Sequence, residues 1–334
     1  NNQSVPAILD TDDPDVGLVR EFRIRGNVWG RYEIWKPWPG DPDPKRAEFR
    51  RALEVEDVGL RRRSAAAGTA WRIRSVGYVF ERNDESVDFR TTPNRVLATS
   101  ALEAEIMRRK LAPPGAAALT SERGDRVTVE RRGEVIGDTG AGIYYRSGTG
   151  SPARRSGSNV RGNPRNTGTN NLALSYEAGF GVSFEELRAS AEETILDGAN
   201  FPDRVPTSGL VVCLDDVTFD SSKPLVGTGV VVIKGNCTMA PGSNSAFNGL
   251  LYVDGNFTMR APAEVSGAVV CTGTSFIRGS GDFATIRYDQ GILDTLQQEF
   301  GQYKFLGAFR SVFERRVGER NLQSSLQRVR SGGN

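Results

Sequence analysis

One short pattern recurs four times between Gly209 and Ile277 and leaves the chain few architectures to choose from. The copies read Gly209-Leu-Val-Val-Cys-Leu-Asp-Asp-Val-Thr-Phe219, Gly229-Val-Val-Val-Ile-Lys-Gly-Asn-Cys-Thr-Met239, Gly249-Leu-Leu-Tyr-Val-Asp-Gly-Asn-Phe-Thr-Met259 and Gly267-Ala-Val-Val-Cys-Thr-Gly-Thr-Ser-Phe-Ile277, with starts 20, 20 and 18 residues apart. A fixed period of this size marks a solenoid, in which one repeat cannot bury its apolar face alone and must stack on its neighbours.

The columns assign a task to each position. Two and four residues after the opening Gly the residues are Val211, Val231, Leu251, Val269 and Cys213, Ile233, Val253, Cys271. Eight and ten residues after it they are Val217, Cys237, Phe257, Ser275 and Phe219, Met239, Met259, Ile277. Between these pairs stand Asp215-Asp216, Gly235-Asn236, Gly255-Asn256 and Gly273-Thr274, residue types suited to a tight corner with positive φ. Each repeat therefore reads as two short strands around a corner, with alternate side chains inward. The expectation is a β-solenoid of about four coils, with Ala284 to Asp289 as a candidate fifth.

At 334 residues the chain allows about two domains. A formal charge of +2 gives no whole-protein field toward nucleic acid or membrane. The sequence has no histidine, which excludes His-based acid–base catalysis, His-containing triads and His-ligated metals together. The three cysteines form no CxxC pair and fall in inward columns. Cys213 and Cys271 share a column but stand three coils apart, roughly 14 Å, beyond the ~7 Å Cα limit for a disulfide. They read as buried free thiols. No signal peptide and no 18-residue apolar run occurs, and Asn1-Asn-Gln-Ser suggests a processed or trimmed start.

In chain order, residues 1 to 20 form a polar, acidic lead-in without calcium-loop spacing. Glu21 to Trp35 alternates and predicts one long half-buried strand, followed by a loop at Lys36 to Lys45 with prolines at 37, 39, 42 and 44. Trp71 to Glu81 alternates again. Val96 to Ile106 has a composition that also suits a helix, but a third strand makes a stable sheet where two would not. Arg126 to Ile136 predicts a strand pair turned at Arg132-Gly133. Tyr145 to Asn171 is rich in Gly, Ser, Thr and Asn and carries Arg146, Arg154, Arg155, Arg161 and Arg165 with no acidic residue among them. Such a segment is expected to build no core of its own, and to drape over the solenoid or stay unstructured. Its five arginines are the candidate polyanion-binding residues, joined by Arg61-Arg62-Arg63.

Ser183 and Glu186 form a capping box, with Val182 and Leu187 as hydrophobic staple, and predict a helix to about Leu196 that covers the open end of the solenoid. Gly291 to Val317 has helical period, and the tail from Gln323 is expected to fray. The fold class expected is mainly β. Residues 1–140 form an antiparallel sheet domain, 141–180 a connecting segment, 181–290 a β-solenoid with its capping helix, and 291–334 a C-terminal helix and tail.

Several segments resemble the pilus-assembly proteins of the PilX type, the minor-pilin-like proteins of bacterial type IV pilus systems. They are Arg25-Gly-Asn-Val-Trp-Gly-Arg-Tyr-Glu, Ala70-Trp-Arg-Ile-Arg-Ser-Val-Gly-Tyr-Val, and Asn94-Arg-Val-Leu-Ala-Thr with Leu102-Glu-Ala-Glu-Ile. Further on, Gly142-Ile-Tyr-Tyr-Arg-Ser-Gly-Thr-Gly, Val182-Ser-Phe-Glu-Glu-Leu and Asn248-Gly-Leu-Leu-Tyr-Val-Asp-Gly-Asn-Phe-Thr complete the likeness, which spans about residues 22 to 290. The resemblance implies a pilin-like sheet carrying a solenoid, as in ComZ-type minor pilins of competence systems. It implies a cell-surface protein held in the inner membrane before assembly by an N-terminal hydrophobic helix that these residues do not include. Its partners would be other pilus subunits, with DNA or acidic glycan as candidate ligands.

Three functional readings follow. The first is a non-enzymatic surface component serving assembly, adhesion or DNA capture, with no cofactor, no metal and no catalytic residue. The second is a secreted glycan-binding or polysaccharide-processing β-helix protein, which would need acidic residues gathered across coils. Only Asp216 and Asp254 are placed to approach one another. The third is a cytoskeletal solenoid stacking end to end, disfavoured by the helices expected on either side of the repeats.

Overall fold

The computed structural model describes residues 16–35, 55–61, 67–305 and 309–316. The lead-in up to residue 15, the proline-rich loop, Arg62, Arg63 and the tail lie outside these. The chain forms two compact units, Asn1–Met107 with Phe305–Asn334, and Arg108–Lys304.

The first unit is an antiparallel sheet in the order Val16–Arg25, Val28–Trp35, Ala70–Glu81, Arg95–Arg108 and Arg310–Arg316. The single long strand expected over 21–35 is a hairpin turned at Gly26-Asn27, where Gly26 takes φ +55°. A register shift between Arg23 and Arg25 pairs even residues with even residues, as in Phe22 opposite Gly30 and Leu18 opposite Ile34. The alternation therefore runs through the turn unbroken. The helix expected to Val317 ends at Phe300, with Gly301 at its C-cap, and Arg310–Arg316 pairs with Arg95–Arg108 as a strand. On one sheet face Glu33 is fully buried, bonded to Arg31 at 2.6 Å and to Arg90 at 3.1 Å, and Arg31 also reaches Glu21 at 2.6 Å. Burial and the facing Glu33 carboxylate push the Tyr78 phenol up to about 12.

The second unit is a parallel β-solenoid built from an 11-stranded and a 6-stranded sheet. The four repeats stack in register: Val205–Cys213 on Val226–Ile233, on Ser245–Val253, on Ala263–Cys271, with Val217–Phe219, Cys237–Met239, Phe257–Arg260 and Ser275–Arg278 forming the second wall. All four inward columns are buried to 2% exposure or less. The candidate fifth strand, Ala284–Tyr288, pairs with Ala263–Gly267.

The solenoid continues past the repeats, through residues the sequence placed in the sheet domain and the connecting segment. Ala117–Ser121 pairs with Val269–Cys271 and Val127–Val129 pairs with Ser275–Ile277, so together with Ala284–Tyr288 they complete one level from two distant parts of the chain. Gly133–Ile136, Ala141–Arg146 and Ala153–Arg154 form the next level. Asn159–Arg161 and Asn166–Thr169 form the last. The strands flanking Arg132-Gly133 are thus no hairpin: they pair in parallel in different sheets. The Gly/Ser/Asn-rich segment is not draped or unstructured but wound into coils, because its neighbours supply the core it lacks.

From Thr169 the chain returns along the solenoid and re-enters at the opposite end. The return contains the helices Tyr176–Phe180 and Phe184–Ala189. The capping box at Ser183 and Glu186 is present, but the helix ends at Ala189 rather than near Leu196. Glu193–Ile195 pairs in parallel with Val211–Cys213, so a strand rather than the helix lies on the first coil. The return and the helix Gln290–Phe300 cover the outer wall: Leu250, Tyr252 and Val270 line the seam with Ala112, Leu174 and Phe180, which is closed to water-sized molecules. This is why Leu210, Val212, Val230 and Val232 are apolar as well as their inward neighbours: the strands are buried on both faces.

The corners have a different cause from the one expected. Gly235, Gly255 and Gly273 are absent from the residues with positive φ; a Cβ on Gly255 would stand 2.4 Å from the Gly235 carbonyl oxygen of the coil below. Beside them a ladder runs from coil to coil. The Asn236 N–H donates to Asp216 Oδ1 at 2.7 Å, Asn256 N–H to Asn236 Oδ1 at 2.9 Å, and Thr274 N–H to Asn256 Oδ1 at 2.9 Å. The three cysteines are free and buried, as expected.

Gly255→Ala should lower the stability of the solenoid by about 1–3 kcal/mol through overpacking against Gly235, measured by denaturant unfolding. An unchanged midpoint would show that the corner has slack.

Candidate functional site

Two regions were open to chemistry: the carboxylates at the corners, and the arginines of the last coils. The geometry separates them clearly.

Asp216 and Asp254 are each taken up by different partners. Asp216 is held by the Asn236 N–H and amide, bonds that keep its carboxyl below the usual range. Asp254 accepts from Lys234, from Thr272 Oγ1 at 3.0 Å and from the Tyr176 hydroxyl at 3.1 Å. Partial burial opposes its ionisation, but the Lys234, Thr272 and Tyr176 bonds outweigh that and hold it low. The Lys234 ammonium also lies 5.1 Å from the Tyr176 ring centroid and 4.9 Å from that of Phe184. Tyr252 donates to the Leu174 carbonyl, and the Lys110 and Ala112 amides donate to Phe180 and Gly179. The cluster therefore fastens the return segment to the third coil. Burial raises all three thiols, which keeps them protonated and unreactive. Among the described residues no group of three or more His, Cys, Asp or Glu is placed to hold a metal ion.

The arginines fare differently from one another. Arg146 bonds Glu122 at 2.7 Å and the Leu172 carbonyl at 3.0 Å, and the Glu122 bond raises its pKa. It is spent on structure. Arg154, Arg155, Arg161 and Arg165 are exposed on the final levels, with no carboxylate partner among the described residues. Of the other predicted basic run, Arg61 pairs with Glu56 at 2.5 Å.

The opposite end of the solenoid carries the reverse charge. Between residues 193 and 223 stand Glu193, Asp197, Asp203, Asp215, Asp216 and Asp220 against Arg204 and Lys223, the last bonded to the Ala199 carbonyl at 2.6 Å. Sequence reading missed this end because it expected a helix there; the signal was the segregation of acids and bases into separate segments.

No protein-family model matches the chain, and no curated protein matches it in sequence. A solved structure, competence-associated pilin ComZ from Thermus thermophilus, aligns over 95% of this chain and 87% of that chain, at 10% identity and a TM-score of 0.21. A likeness at that level carries no argument about fold or function. No helix among the described residues is long and apolar enough to cross a membrane.

Asp254 should make the return segment acid-sensitive. Its folded pKa is depressed, so its contribution is present above the unfolded value, about 3.9, and is lost as pH falls through the lower folded one. Hydrogen exchange at the Lys110 and Ala112 amides, corrected for intrinsic rates, should quicken on acidification below about pH 4. In Asp254→Asn it should be faster at neutral pH and lose that dependence. Equal acid sensitivity in the variant would assign the effect to other groups.

Proposed function

We propose that this chain is a non-enzymatic cell-surface component of a type IV pilus system, serving assembly, adhesion or DNA capture through its surfaces. The pilus reading is supported by the pilin-like sequence segments over residues 22 to 290, laid on an antiparallel sheet and a solenoid. In that reading its partners are other pilus subunits, and an N-terminal helix holds it in the inner membrane before assembly. The non-enzymatic reading is supported by carboxylates that are used as coil ladder and fastening rather than gathered into a cleft.

The observation that carries the contact chemistry is the gathering of Arg154, Arg155, Arg161 and Arg165 on the terminal levels, each exposed and without a carboxylate partner among the described residues. Such a surface suits a polyanion, DNA or acidic glycan. No aromatic residue occurs from Ser147 to Asn171, so single-strand stacking is not favoured. Contacts would go to phosphates, blind to sequence.

Duplex binding should weaken steeply with salt, and replacing the four arginines by Ser should flatten the log–log salt dependence by about 0.9 for each phosphate no longer neutralised. Unchanged binding would remove this coil from the ligand surface. Recovery of the chain with sheared pili tests the pilus reading separately; its absence from that fraction would remove it.

A further inference from the structure

The 11-stranded sheet contains one unbroken column that ends in an unpaired edge on each side. Taken through the paired registers, Glu193 leads to Val211, Val231, Leu251, Val269, Leu119, Ile143 and finally Asn166. The neighbouring column runs from Thr194 to Thr167, and the next from Ile195 to Gly168. Every strand in this stack is parallel. Glu193–Ile195 pairs only with Val211–Cys213, and Asn166–Thr169 only with Ala141–Arg146, among the described residues. Two bare edges therefore face opposite ways along one axis, about 34 Å apart at about 4.8 Å per level.

These edges match each other. They run in the same direction and share columns, so one laid on the other continues the parallel ladder without a change of register. Their charges are opposite: residues 193–223 carry six carboxylates against Arg204 and Lys223, and residues 153–169 carry four arginines and no acid. The residues that terminate the apolar column are polar at both ends, Glu193 and Asn166, a carboxylate and an amide that can bond to each other. Leu196, 72% exposed at the acidic end, has no cover in the single chain.

We infer that two copies of this chain associate head to tail, the strand Glu193–Ile195 of one adding to Asn166–Thr169 of the other. The contact is heterologous, so each added copy leaves the same two ends free and growth is linear. Strand addition supplies main-chain bonds, and the opposed charges select the orientation. This inference rests on the solenoid ends and does not require the pilus reading. Duplex DNA would compete for the same arginines.

The test uses the full chain in sedimentation velocity at about 0.01 M salt, where the Debye length is about 30 Å. The weight-average mass should climb with concentration and fall back as salt is added. An acid-end variant, Glu193→Lys with Asp197→Lys and Asp203→Lys, should stay single, as should a base-end variant with Arg154, Arg155, Arg161 and Arg165 changed to Glu. An equimolar mixture of the two should associate again, because each presents what the other lacks. Circular dichroism establishes that both variants are folded; should either fail, a Gly168→Pro edge variant mixed with wild type should cap the chains and lower the mean mass. A wild-type chain that stays single at every concentration overturns the inference, as does a mixture of folded variants that fails to associate. Duplex binding abolished in the base-end variant, beside a wild type that never associates, would assign those arginines to polyanion alone.

Discussion

Stacking one coil on the next at the spacing of a hydrogen-bonded strand leaves no room at the corners for anything but backbone. That closeness decides the sequence there. A side chain at 255 would occupy the place of the Gly235 carbonyl, so the position is glycine for want of space and not for want of φ. One residue on, the corner N–H points along the axis, and the side chain below answers it: Asp216, Asn236 and Asn256 each accept from the coil above. An amide can both extend the ladder and be neutral, whereas the charged Asp216 stands where the ladder begins. The same stacking leaves the inward columns fully buried, Phe257 and Met259 on one wall and Leu251 and Val253 on the other.

Coverage of the outer wall follows from the route of the chain. Because the last coil and the first repeat lie at opposite ends, the connection has to travel the length of the stack, and it does so as an apolar layer. Tyr176, Phe180 and Tyr252 meet at ring separations of 5.1 to 6.4 Å, and Phe300 of the following helix packs on Phe180. Arg109 lies over Phe300 at 4.0 Å and bonds the Ser190 carbonyl, closing the layer where the helix ends.

What was legible in the residues was what repetition makes legible. The four coils, their inward columns, the free cysteines, the capping box and the strands at Ala70–Glu81 and Arg95–Arg108 follow from period and pattern. The coils at 117–169 were hidden because they do not repeat: short strands such as Ala153–Arg154 borrow their core from Val129 and Ile277 and need no apolar run of their own. The hairpin at Gly26 was hidden for an opposite reason, a register shift that let the alternation continue. Runs such as Leu210-Val-Val-Cys213 carried an unread signal, since apolar residues on both faces of a strand require cover on both. For the candidate site, the arginines could be found but not ranked: only the fold shows that Arg146 belongs to Glu122 and that its four companions share an end.

The level shared by Ala117–Ser121, Val127–Val129 and Ala284–Tyr288 sets the order in which the solenoid can be made. Its parts lie more than 150 residues apart in sequence, so on a ribosome the early coils emerge with no template to wind upon. The repeats from 205 to 278 have only near-neighbour contacts to form and are the part able to nucleate. The early coils can then wind on a finished surface, the level of Ala117–Ser121 and Val127–Val129 before those stacked beyond it, which makes that level an internal junction of the stack and not a weak end from which it unwinds.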